Sequence, residues 1–64
     1  MKRTELERRL RKLGWFLARH GGNHDIWTNG VEQVEVPRHS EISEKLARFG
    51  ILRIAEQNPG ARRP

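Results

Sequence analysis

His24-Asp25-Ile26-Trp27-Thr28-Asn29-Gly30-Val31-Glu32-Gln33-Val34-Glu35-Val36-Pro37 is the stretch on which the fold turns. Two runs rich in β-branched and aromatic residues flank Asn29-Gly30, which predicts a β-hairpin. A two-residue type I′ turn is expected, because both of its central positions need positive φ and Asn and Gly tolerate that best. In the second arm Val34 and Val36 alternate with Gln33 and Glu35, the period of a half-buried strand. Pro37 ends that strand, since it has no N–H to give a ladder.

Upstream, Trp15-Phe16-Leu17-Ala18-Arg19 is too short for a helix and rich in aromatics, so it reads as another strand, broken from the hairpin by Gly21-Gly22-Asn23. Residues 4–13 read as a helix. Thr4 and Glu7 have the spacing of a capping box, Leu6, Leu10 and Leu13 form one apolar stripe, and Gly14 is a natural stop. Downstream, Ser40 is placed to cap a second helix, with Glu41 and Glu44 in its first turn and its end near Gln57. On ideal geometry Leu46, Ala47, Ile51 and Ile54 share one side of it, while Phe49 and Leu52 fall largely off that side. Gly50 costs a helix interior about 1 kcal/mol relative to Ala, so close packing or a kink is expected there. Asn58-Pro59-Gly60 stops the helix. The expected organisation is one domain over residues 1–58 and a frayed basic tail over 59–64. The fold class is α+β: a small two-layer α-β-β-β-α domain with both helices on one face of a three-stranded antiparallel sheet and the other face open.

The chain has 64 residues, which excludes a second domain and a large enzyme with a deep pocket. Thirteen Lys and Arg against eight Asp and Glu give a net charge of +5, which favours polyanionic partners, above all nucleic acid. The same charges also serve solubility. There is no Cys, so disulfides and Cys-containing zinc sites are excluded. No apolar run approaches the ~20 residues of a membrane span. The opening residues lack the apolar core of a signal peptide. A cytoplasmic protein without a membrane partner is expected. Gly21-Gly22 lacks the Lys-Ser/Thr ending of a phosphate-binding loop, and no Gly-x-Ser-x-Gly is present. No cofactor and no metal is expected.

The neutral-pH acid–base candidates are the three histidines, His20, His24 and His39. His24 follows a Gly-Gly-Asn turn where a ligand can approach the backbone closely. On periodicity alone, though, a His at a strand start is ordinarily a surface residue. His39 and Arg38 precede a helix N-terminus and can either position a phosphate or simply belong to a capping loop. His20 reads as a plain strand-end residue. Trp15 or Phe16 must supply core. If Ile26 faces the helices, Trp27 faces outward, where it can stack on a base, cover a partner or shield the sheet edge.

Gly21-Gly22-Asn23-His24, then Val36-Pro37-Arg38-His39-Ser40-Glu41-Ile42, then Leu46-Ala47-Arg48, after an opening helix ending Leu13-Gly14-Trp15, resemble the HicA family of type II toxin–antitoxin systems. The resemblance spans residue 2 to about residue 57. It implies a double-stranded-RNA-binding-domain-like fold. It also implies a ribosome-independent mRNA endoribonuclease, neutralised by a HicB-type antitoxin and able to form an oligomer through that complex. The family's catalytic His stands in a Gly-Ser/Asn-His turn, which by motif is His24. Arg19, Asn23, Trp27, Arg38 and His39 are the expected RNA- and phosphate-binding residues around it. Many members carry Gly-Ser-His-His, whereas this chain has Asp25 after a single His, and Phe49-Gly50 also departs from the family pattern. Two rival readings stand beside this one. One is a non-catalytic RNA-binding domain of the same architecture. The other is a small DNA-binding or adaptor protein, disfavoured because no helix-turn-helix pair is visible.

Overall fold

A computed structural model describes residues 1–60 of the chain. Helix α1, Arg3–Lys12, begins one residue ahead of the expected start. Thr4 therefore lies inside the helix, and among the described residues no side chain caps its first turn. The first N–H is instead satisfied from a distance: Arg3 donates to the Ser40 carbonyl at 3.0 Å, beside an antiparallel bridge between Lys2 and Glu41. At its other end the helix closes as expected. Gly14 adopts φ +87°, and the N–H groups of Gly14 and Trp15 reach back to the carbonyls of Arg11 and Leu10, both at 3.0 Å. This is the Schellman arrangement that only a residue free to take positive φ completes cheaply.

Three antiparallel strands follow in spatial order β1-β2-β3: β1 Phe16–His20, β2 His24–Thr28 and β3 Gln33–Pro37. The β2–β3 connection is not a type I′ turn, because Asn29 does not take positive φ and only Gly30 does. The loop is longer, over residues 29–32, and is closed by side chains. Asn29 Oδ1 accepts the N–H groups of Val31 and Glu32 at 2.8 and 2.7 Å, and Thr28 Oγ1 donates to the Glu32 carbonyl at 2.6 Å. Local Asn and Thr bonds of this kind offer the backbone an alternative to a tighter turn.

The register settles which way each strand faces. Trp27 pairs with Leu17 and Val34, and Asp25 with His20 and Val36, so these residues share the face toward the helices. Trp27 is 1% exposed, which corrects the expectation that it lies on the open face. Ile26, paired with Arg19 and Glu35, takes that opposite face. The expectation went wrong because alternation gives the two faces of a strand without saying which is inward, and both Ile and Trp are good core residues. Arg11 of α1 lies over the Trp27 ring at 5.2 Å. Strand β1 carries a bulge: the pairing slips between Leu17 and Arg19, leaving Ala18 as an extra residue.

The second helix, α2, is π-helical over Leu46–Leu52 and α-helical over Arg53–Gln57. Its first turn is held by Ser43, whose hydroxyl accepts the Leu46 N–H at 3.2 Å, and not by Ser40. The wider i→i+5 winding changes the buried stripe. Ala47, Ile51, Leu52 and Ala55 are buried, while Leu46, Phe49 and Ile54 are exposed. Leu52, expected off the stripe, is thus inside, and Leu46 and Ile54 are outside. Where close packing or a kink was expected at Gly50, the structure has this widened turn. A Cβ at Gly50 would meet only the tip of the Leu46 side chain.

Both helices cover one sheet face, and the core between them holds Leu6, Leu10, Trp15, Trp27, Val34, Val36, Ile42 and the buried side of α2. Asn58 closes the end of this layer. Its carbonyl accepts the Trp15 indole N–H at 2.9 Å and the Asn29 amide at 2.8 Å. Gly60, assigned to the tail, donates its N–H to the Leu13 carbonyl at 2.7 Å, with its backbone directly against Gly14. The remaining tail, residues 61–64, lies outside the described residues. Among the described residues no helix is long and apolar enough to cross a membrane.

Candidate functional site

The β1–β2 turn is drawn tight by the Gly21 N–H, which donates to the His24 carbonyl at 2.7 Å, and a Cβ at Gly21 would collide with that same carbonyl. Beside this turn runs the segment leaving β3. The two are joined by the His24–Pro37 pairing and by the Arg38 N–H, which donates to the Asn23 carbonyl at 3.3 Å. Between them opens a cleft of about 540 Å³, lined by Gly22, Asn23, His24, Arg38 and His39. That volume falls within the range of small-ligand sites. Four of the six site residues expected from sequence, Asn23, His24, Arg38 and His39, therefore meet in one place. Arg19 stands apart on the open sheet face opposite Ile26. Trp27, withdrawn into the core, is not part of the site.

The electrostatic anchor of the cleft is Asp25. Its carboxylate is 7% exposed as a residue and is met by two groups on one oxygen: His20 Nδ1 at 2.8 Å and Arg38 Nε at 2.9 Å. Arg38 Nη2 also donates to the Gly21 carbonyl at 3.2 Å, and Arg3 Nη1 donates to the Arg38 carbonyl at 2.8 Å. The hydrogen bond from His20, with Arg38 adding to it, holds the Asp25 carboxyl below its ordinary range against the upward push of burial. An ionised carboxylate only accepts hydrogen bonds, so His20 carries its proton on Nδ1. The Arg38 guanidinium, fixed on one edge by Asp25 and Gly21, stays 43% exposed. It is a cation held in a set orientation at the lip of the cleft, suited to phosphate oxygens.

His20 and Asp25 were missed as part of this constellation. The sign that could have found them is the shortness of the His20-Gly21-Gly22-Asn23-His24-Asp25 hairpin, which places its first and last residues opposite each other. The bulge at Ala18 is equally needed. Without the extra residue, Arg19 and not His20 would face Asp25. His24, the neighbour of Asp25, points to the other face of the strand by simple alternation. It is exposed, and its ring has no side-chain partner among the described residues.

The cleft thus offers two imidazoles, one oriented guanidinium and a glycine-rich turn, a set that can bind an anion and move protons near neutral pH. Comparison with known proteins bears on the family of the chain. A family model described as the HicA toxin of bacterial toxin–antitoxin systems matches residues 3–56, most of the chain and all of the cleft. No curated protein and no solved structure matches.

Proposed function

The chain belongs to the HicA toxin family of bacterial toxin–antitoxin systems, and from that premise we propose that it is a metal-free mRNA endoribonuclease with His24 as its general base. The observation that carries the reading is the shared cleft: His24 lines the same space as Arg38, whose guanidinium is locked by buried Asp25. RNA brings its own nucleophile. His24 takes the proton of a 2′-OH as that oxygen attacks the adjacent phosphorus. Arg38 stabilises the charge that builds on the phosphoryl oxygens, and Arg19 on the open sheet face guides the neighbouring backbone. The products are a 2′,3′-cyclic phosphate and a 5′-OH end. One positioned base contributes about 10²–10⁴-fold, so modest turnover is expected.

The antitoxin that the family implies is proposed to be of HicB type, to cover the His24 turn and the open sheet face, and to inhibit by blocking RNA. Complementary charge on such a partner would speed its association with this basic chain.

Incubation with labelled single-stranded RNA in EDTA tests the reading. The parent protein should cut and His24→Ala should not, while the variant keeps its fold and its affinity for RNA. Cleavage by His24→Ala at the parent's rate would remove the assignment. Binding without cleavage by the parent would favour an RNA-binding domain of the same architecture.

A further inference from the structure

We infer that His39 is the general acid of the same reaction, the group that protonates the leaving 5′-oxygen. This rests on the reading of the cleft as a site of RNA cleavage. Transesterification moves two protons: one leaves the attacking 2′-oxygen, and one must reach the 5′-oxygen as its bond to phosphorus breaks. The base that takes the first proton stands beside the attacking 2′-oxygen, and in an in-line displacement the leaving 5′-oxygen lies on the opposite side of the phosphorus, out of that base's reach.

The cleft contains few groups able to give that proton. Gly22 and Asn23 carry no acidic side chain. Arg38 holds its proton too tightly, as guanidinium does in proteins. His20 is not among the residues lining the cleft, and its Nδ1 is committed to Asp25. His39 is the remaining imidazole on the cleft wall beside His24. Its place is set by bonds and not by a free loop. The Arg38 N–H donates to the Asn23 carbonyl, the Arg38 carbonyl accepts from Arg3, and the Ser40 carbonyl accepts the Arg3 N–H. The backbone on both sides of His39 is thus tied to the β1–β2 turn and to the start of α1. The oriented Arg38 lines the same cleft as the two imidazoles, so a phosphate held there would meet a cation as well as base and acid.

The balance closes without a further reactant. The 2′-O–H bond breaks and its proton passes to neutral His24. The O2′–P bond forms and the P–O5′ bond breaks. Protonated His39 gives its proton to O5′, which leaves as a hydroxyl. His24 then holds a proton and His39 lacks one, and exchange with water restores both.

The test compares two RNA oligonucleotides, one with the natural 5′-oxygen at the scissile bond and one with a bridging sulfur there. A thiolate leaves without protonation, so it bypasses the acid and still needs the base. The parent protein, His39→Asn and His24→Asn are assayed on both. His39→Asn should cut the oxygen substrate about 10²–10⁴-fold more slowly than the parent and recover most of that loss on the sulfur substrate. His24→Asn should be slow on both. His39 is exposed, so the substitution leaves the fold intact. If His39→Asn matches the parent on the oxygen substrate, or loses the same factor on both, the acid assignment is overturned while the cleavage reading stands. A parent protein that cuts neither substrate overturns the cleavage reading itself.

Discussion

Asp25 accepts the Nδ1–H of His20 across the β1–β2 ladder at 2.8 Å, a pairing that exists because β1 carries one residue more than its partner needs. The carboxylate is buried, and the same oxygen receives Arg38. A buried charge is tolerated only when it is paired and hydrogen-bonded. Here the pairing also orients the cation that faces the cleft.

Acid should weaken this arrangement. The Asp25 carboxyl is held below 3.8 by its hydrogen bond from His20 and then by Arg38, and Glu5 is drawn from 4.5 down to about 2 by Arg8 and Arg9. In both cases the unfolded chain binds the proton at the higher pH. For Glu5 the stabilisation is therefore complete above about pH 4.5 and is lost as pH falls toward about 2, and for Asp25 it is lost as pH falls below 3.8. Thermal melts across this range should show Tm falling, and Asp25→Asn should flatten part of that fall below pH 4. An unchanged profile in the variant would show that Asp25 is not a source of the acid sensitivity.

Trp27→Ala should act on folding. Replacing a buried Trp costs about 3–5 kcal/mol, and at 1% exposure Trp27 has no surface to offer a base. Denaturant titration should locate the loss in stability, and RNA affinity at a temperature where the variant is still folded should be unchanged. A variant of parental stability and weakened RNA affinity would place the ring at the RNA surface after all.

Salt should dominate RNA affinity. If about five phosphates are neutralised, the log–log slope of affinity against salt for single-stranded RNA is near −3.5. The His24→Ala variant, expected to bind without cutting, allows the measurement without cleavage. A slope near zero would mean that Arg19, Arg38 and the other cations do not bind the backbone.

Two exposed aromatics separate the ways an antitoxin could bind. Phe16, 52% exposed, lies on the open sheet face with Ile26, whereas Phe49, 58% exposed, lies on the helix layer beneath the Arg53 guanidinium. A partner that covers the open face and the His24 turn should lose about 2 kcal/mol or more with Phe16→Ala if Phe16 is an anchor and little with Phe49→Ala. Calorimetric titration of both variants with the antitoxin gives the answer. The reverse ranking would put the partner on α2 and require inhibition at a distance.

The architecture was legible because its signals are local and repeated. The leucine stripe of α1, the Gly14 stop, the Val34–Val36 alternation and Pro37 each point to one element, and all four hold in the structure. What escaped were features decided by pairing between segments. Thr4 has the spacing of a capping residue, yet the first N–H of α1 is taken by Ser40 from 37 positions further along. Asn29-Gly30 suits a two-residue turn, yet Asn29 and Thr28 side chains close a longer one. In α2 the π-winding rotates Leu52 inward and Leu46 outward, a change that ideal helix spacing cannot register. The cleft was half legible. His24, Asn23, Arg38 and His39 came from motif order, but the Asp25 anchor depends on a bulge that leaves no residue signature at Ala18.

The closure at Asn58 bears on how such a chain is made. Its carbonyl joins Trp15 and Asn29, 43 and 29 positions earlier, and Gly60 then seals against Leu13 and Gly14. During synthesis these partners emerge long before the groups that satisfy them. These bonds cannot close until Asn58 and Gly60 have left the ribosome. A nascent copy therefore holds the Trp15 indole and the Asn29 amide open to water until residue 58 follows them out, so this end of the layer closes late.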